Sequence, residues 1–119
     1  MKLRGAILFA KDVSTLAAFY RDAFGFAVIS ESPSWVELGA GEARLGLHAI
    51  PKDVADGIAI TSPPARREAT PLKLTFDVSV LTIAIAELTR HGAVMDAPTA
   101  FGTCDGVDPE GNVFQIVRA

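Results

Sequence analysis

Asp108-Pro109-Glu110-Gly111-Asn112-Val113-Phe114-Gln115-Ile116 is the stretch whose reading decides the fold. Asp-Pro-Glu-Gly has the chemistry of a tight turn: Asp bonds nearby backbone, Pro fixes φ, and Gly accepts a positive φ. The run behind it, Val113 to Val117, is β-branched and aromatic around Gln115 and reads as a strand. Asp105 and Asp108 read as organisers of this closing turn. The turn gains meaning from the start of the chain, where Phe9-Ala10-Lys11-Asp12 runs into Phe19-Tyr20-Arg21-Asp22-Ala23-Phe24-Gly25-Phe26. That is a strand closing on Lys-Asp, a helix carrying Phe and Tyr, and a Gly stop.

Working outward, Leu3 to Ala10 is apolar and reads as a strand. Asp12 or Ser14 can cap a helix over Ser14 to Phe24, whose Leu16, Phe19, Tyr20 and Phe24 recur at helical spacing. Gly25 is the expected residue just past its end. Phe26–Ser30 is the next strand, and Ser32-Pro33-Ser34 turns it into Trp35–Leu38. Residues 39–42, Gly-Ala-Gly-Glu, read as a four-residue hairpin loop, and Ala43–Ile50 returns. This gives one βαβββ module, residues 1–50. Residues 51–70, punctuated by prolines and charges from Pro51 through Glu68 to the flanking Pro71, read as a linker with a turn of helix near Val54. The pattern then repeats over 71–119. Leu72, Leu74, Phe76 and Val78 alternate with polar residues, and Ser79 caps a helix that ends at His91-Gly92. Three strands follow: Ala93–Met95, Phe101–Val107 and Asn112–Arg118. His91 reads as a cation favoured at a helix C-terminus. Gly25 and Gly92 stand 67 residues apart, each closing a helix that follows a strand. The fold class is α+β, two βαβββ modules forming curved mixed sheets.

Composition bounds the function. The 119 residues suffice for one domain, and 50% hydrophobic with 21% charged residues is a globular balance. The net charge of −3, with no basic run, argues against nucleic acid or an anionic membrane as partner. Met1 to Gly5 lacks the apolar core of a signal peptide, and no stretch approaches a membrane span of about 20 apolar residues. One cysteine, Cys104, cannot form an internal disulfide and reads as a buried, inert thiol. A cytoplasmic protein is expected. No phosphate loop, nucleophile elbow or zinc-protease pair is present.

The closing Asp-Pro-Glu-Gly-Asn strand, the strand ending in Lys11-Asp12 and the Phe-Tyr helix stopped by Gly25 together resemble the vicinal oxygen chelate superfamily. Its members include glyoxalase I, extradiol dioxygenases, and bleomycin- and fosfomycin-resistance proteins. The resemblance covers nearly the whole chain and implies a fold more than an activity. It also implies a homodimer and a cup-shaped site built from the sheet faces away from the helices. Metal-dependent members hold a divalent ion there with His and Glu side chains. The positions that match here are Gly5, Gly46, Lys73 and Gln115. Two have no side chain, one is a cation and one is an amide, so no metal and no cofactor are expected.

Strand parity supplies the candidate site. Pairing the hairpin across 39–42 sets Leu38 opposite Ala43, Glu37 opposite Arg44, Val36 opposite Leu45 and Trp35 opposite Gly46. Val36, Leu38, Leu45 and Leu47 then face a helix. Trp35, Glu37, Arg44, Gly46 and His48 share the other face, with Glu37 and Arg44 as an ion pair. In the second module Leu72, Leu74, Phe76, Val78, Phe114 and Ile116 face a helix, and Lys73 and Gln115 face away. The ligand-binding candidates are Trp35, Glu37, Arg44, His48, Lys73 and Gln115; no catalytic residue is assigned. Lys73 has only Asp77 on its own strand. It therefore either favours an anionic ligand or extends its ammonium to solvent. The expected function is metal-free binding of a small organic molecule, as in drug-sequestering resistance proteins. A glyoxalase-like lyase or isomerase, or a dioxygenase, with an atypical metal site or acid–base residues is the alternative. An interaction module is the third.

Overall fold

In the computed structural model, which describes residues 1–67, 69 and 72–119, two βαβββ modules follow one another along the chain. Glu68 and Pro71 of the connecting segment lie outside the described residues. The chain divides into two compact units, Met1–Ala59 and Ile60–Ala119.

In the first unit, β1 (Gly5–Ala10) runs to Asp12, which starts α1 (Val13–Phe24). The Asp12 carboxylate accepts from the Thr15 backbone N–H at 3.1 Å and from the Thr15 hydroxyl at 2.8 Å. These bonds, led by the backbone one, hold its carboxyl below the usual range for Asp. Asp12, rather than Ser14, is therefore the cap. Gly25 ends the helix at φ 74°, a left-handed conformation that glycine adopts without a Cβ penalty. Val13, Leu16, Ala17 and Tyr20 are buried along one stripe of α1, which packs on β3 (Trp35–Ala40) and β4 (Ala43–Ala49). With the edge strand β2 (Ala27–Ser32) the sheet order is β1-β4-β3-β2, with β1 parallel to β4. Val36, Leu38, Leu45 and Leu47 are buried, as parity requires. Residues 51–59 stay with this unit. They hold the one-turn α2 (Lys52–Ala55), and Lys11 Nζ donates to the Ile58 carbonyl.

The second unit repeats the plan with β5 (Leu74–Val78), α3 (Leu81–Arg90), β6 (Val94–Met95), β7 (Thr103–Val107) and β8 (Val113–Arg118), ordered β5-β8-β7-β6. β5 is parallel to β8. Phe114 and Ile116 are fully buried, and Leu74 and Phe76 stand beside them in register. Leu72 departs from expectation: it precedes β5 and is exposed. Ser79 does not cap α3. The cap position is Val80, with no side-chain bond, because the helix begins one residue later than a Ser79 cap requires. His91 does end α3, its Nδ1 lying 2.9 Å from the Glu87 carbonyl oxygen.

The closing turn is built on Asp108, which is fully buried. Its Oδ1 accepts from the backbone N–H of Glu110 at 2.9 Å and of Asn112 at 3.0 Å, and its Oδ2 accepts from Asn112 Nδ2 at 2.8 Å. Gly111 sits at φ 85°. The connecting segment lies against this turn: Arg67 N–H donates to the Gly111 carbonyl at 3.0 Å and Arg67 Nε to that of Glu110 at 3.1 Å.

Candidate functional site

The first sheet buries one face under α1 and leaves the other open. The β3–β4 loop is two residues, Gly41-Glu42, with Gly41 at φ 64°. It is not the expected four. A short loop with a positive-φ glycine matches the strand twist and lets the ladder continue through Gly39↔Arg44 and Ala40↔Ala43. The true register therefore sets Trp35 opposite His48 and Glu37 opposite Gly46, two residues from the expected pairing. A slip of two preserves parity, so the same side chains share the open face. Three rows cross it: Phe9, His48 and Trp35; Ile7, Gly46 and Glu37; Gly5, Arg44 and Gly39.

A pocket of about 340 Å³ lies on this face, lined by Arg4, Gly5, Ile7, Trp35, Glu37, Arg44 and Gly46 among others. The size suits a small organic ligand. Trp35 forms its flat wall. The indole lies directly on Gly46, where an added Cβ would fall 2.2 Å from Trp35 Cη2. Glu37 stands between two cations: its Oε1 is 3.6 Å from Arg4 Nη2 and 3.7 Å from Arg44 Nε. The expected Glu37–Arg44 pair thus exists on a diagonal. Arg4 is the lining residue that the sequence reading missed. His48 shares the face but does not line the pocket; its ring is edge-on to both Phe9 and Trp35, at 5.8 and 6.0 Å between centroids. Its Nδ1 is 2.9 Å from the Ala49 carbonyl oxygen, which can only accept, so Nδ1 carries the hydrogen.

Lys73 and Gln115 lie in the second unit, on its own open face. Lys73 is not left with Asp77 alone, as the sequence suggested. Its Nζ donates to Asp105 Oδ2 at 3.1 Å, and Gln115 Nε2 donates to Asp105 Oδ1 at 3.1 Å. Asp105 thus serves the sheet face rather than the closing turn. It stands opposite Gln115 in the ladder, and β8 separates it from the β5 end where Lys73 sits. Cys104 points the other way and is fully buried, donating to the Asp96 carbonyl at 3.1 Å. Burial, then the Asp96 and Asp105 charges, push its thiol pKa up, the opposite of what a nucleophile needs.

The residues present do not fit a metal. A side chain at Gly5 would place its Cβ 1.8 Å from the Arg44 carbonyl oxygen, and one at Gly46 would meet the indole. Among the described residues, no three His, Cys, Asp or Glu side chains converge. No described helix is long and apolar enough to cross a membrane.

Comparison with known proteins agrees with this geometry. The family model described as a glyoxalase-like domain matches residues 6–117. A crystal structure of a glyoxalase/bleomycin resistance protein/dioxygenase family enzyme from Burkholderia phytofirmans PsJN superposes with a TM-score of 0.75 at 24% identity, covering 98% of this chain and 97% of that one. The lactoylglutathione lyase of Agrobacterium tumefaciens gives 0.65 at 18%, covering 97% and 91%. The bleomycin-binding protein of Streptomyces verticillus, solved with copper(II)-bleomycin, gives 0.63 at 20%, covering 100% and 98%. These identities show the fold alone. No curated protein matches. With the family model spanning nearly the whole chain and both modules in place, the protein belongs to the glyoxalase-like family of the vicinal oxygen chelate superfamily.

Proposed function

We propose that the protein binds a small organic anion on the open face of its first sheet without a metal ion. One observation carries this. Two of the four positions matching the family's metal ligands, Gly5 and Gly46, are glycines with no room for a side chain, and they line a pocket holding two guanidiniums and one carboxylate. Trp35 and Ile7 supply apolar surface for the body of the ligand. Glu37 is held between two cations and Lys73 against Asp105, which supports binding over acid–base chemistry. A structural neighbour of this fold is a bleomycin-binding protein, which supports small-molecule binding as the role. A cytoplasmic setting is consistent with the single free thiol.

Thermal-shift screening of organic acids is the direct test. A ligand at 100 times its Kd adds about 2.7 kcal/mol to stability. Mass spectrometry of protein purified with and without added Ni²⁺, Zn²⁺ or Fe²⁺ is expected to find no stoichiometric metal. One ion per chain held by these strands, or a screen with no stabilising acid, overturns the reading.

The same face supports a proposal on assembly. Outside the pocket lining, Phe9 is 61% exposed on it, and a second copy arranged as a C2 homodimer would cover such surface. Light scattering at micromolar concentration is expected to give twice the chain mass. A monomer mass removes the dimer.

A further inference from the structure

We propose that Glu37 sets the charge of the ligand, making the pocket selective for a planar aromatic monoanion, a carboxylate, over a phosphate dianion. This rests on the binding reading above and goes further, to the ligand's class.

The charged residues lining the pocket are Arg4, Glu37 and Arg44, so two cations and one anion leave a net charge of +1. Each guanidinium presents five N–H donors. Glu37 Oε1 lies near both, at 3.6 and 3.7 Å, beyond hydrogen-bond range for either. Glu37 therefore holds the two guanidiniums close to each other without using up their donors. Its side chain is 18% exposed, against 80% for Arg4 and 44% for Arg44. The carboxylate is thus set deeper than the cations, whose donors remain open to an incoming oxyanion. Two acceptor oxygens on one carbon can meet donors from both guanidiniums. One negative charge then neutralises the site. A second would face the Glu37 carboxylate with no cation left to offset it. The rest of the ligand meets the indole face of Trp35, which Gly46 lets lie flat on the sheet and which favours an offset-stacked aromatic ring. A volume of about 340 Å³ admits a fused two-ring acid.

Isothermal titration calorimetry on the full chain tests this with three probes of one shape: 2-naphthoate, neutral 2-naphthamide and 2-naphthyl phosphate. Measurements at about pH 8 keep the phosphate dianionic, since its second pKa is roughly 6. The wild-type protein is expected to bind the carboxylate about tenfold tighter than the amide, and tighter than the phosphate. Glu37→Gln keeps the shape and raises the local charge to +2. It is expected to strengthen phosphate binding about tenfold and to reverse the order of the two anions. Arg4→Gln, at an exposed position that leaves folding intact, is expected to abolish the preference for carboxylate over amide. Equal affinity for carboxylate and amide in the wild type overturns the inference, as does an unchanged carboxylate-to-phosphate ratio in Glu37→Gln. So does failure of all three probes; the binding reading itself falls only if the wider screen is also empty.

Discussion

Asp108→Ala is expected to lower stability by about 3–5 kcal/mol, because it strands three donors in a buried turn at about 1–3 kcal/mol each. Two are backbone N–H groups, those of Glu110 and Asn112, and cannot rotate away. The third, Asn112 Nδ2, belongs to a half-buried side chain and recovers a partner more easily, which holds the total below a simple sum. The turn also carries the Gly111 N–H bond to the Asp108 carbonyl and the docked Arg67 backbone, so its loss spreads into the approach to β5 and the start of β8. At roughly 4 °C per kcal/mol the melting point should fall by about 12–20 °C. Asp108→Asn should land between the two proteins. Its amide oxygen can replace Oδ1, but its amide nitrogen would face the Asn112 amide as donor against donor. Thermal unfolding followed by circular dichroism reads both variants. An alanine variant melting within a few degrees of wild type would show that water serves the three donors equally well.

Gly5→Ala is expected to cost about 3 kcal/mol, the upper end of the range for forcing an atom into packed structure. The added Cβ would stand 1.8 Å from the carbonyl oxygen of Arg44 and 2.7 Å from its carbonyl carbon. Both are backbone atoms of the neighbouring strand, so no side chain can swing aside. The start of β1 must lift, and the Arg44 N–H bond to the Arg4 carbonyl at 3.0 Å goes with it. That displacement also moves Arg4, so the same methyl group should weaken ligand binding more than its stability cost alone explains. Hydrogen exchange at Arg44, together with the melting point, separates the two effects. Wild-type protection of that amide in the variant would mean the strand end yields without breaking its pairing.

Much of the fold was legible because it rests on local signals. The β-branched and aromatic runs at 35–38 and 113–117, the stop at Gly25 and the turn chemistry at Asp108 each act within a few residues. The site was legible only so far as parity carries. Trp35, Glu37, Arg44 and His48 were placed on one face although the hairpin register was two residues off, since an even slip changes partners and not faces. Lys73 was given the wrong partner because Asp105 lies 32 residues away and reaches it across an intervening strand, a distance that no periodicity reports. The pairing of Asp105 with Gln115 was the available clue. Arg4 was missed for another reason. It was read inside a strand starting at Leu3, where parity puts it on the face opposite Gly5, but β1 starts at Gly5 and Arg4 precedes it, so that parity does not apply. Ser79 was a plausible cap by residue type, but the cap position falls one residue on, at Val80.

The parallel pairs β1–β4 and β5–β8 bear on how the protein is made. In each sheet the pair joins the module's first strand to its last, with the helix and two strands between. Neither sheet can therefore close on a nascent chain until its final strand has been synthesised. The first unit meets that condition once Ala49 has emerged, and it can bury Leu38, Leu45 and Leu47 while the rest is still being translated. The second must wait for Val113–Arg118, which holds Phe114 and Ile116, the residues on which its core is centred. Until then Leu74 and Phe76 have no neighbours in register, and that interval is when the growing chain is most open to misassembly.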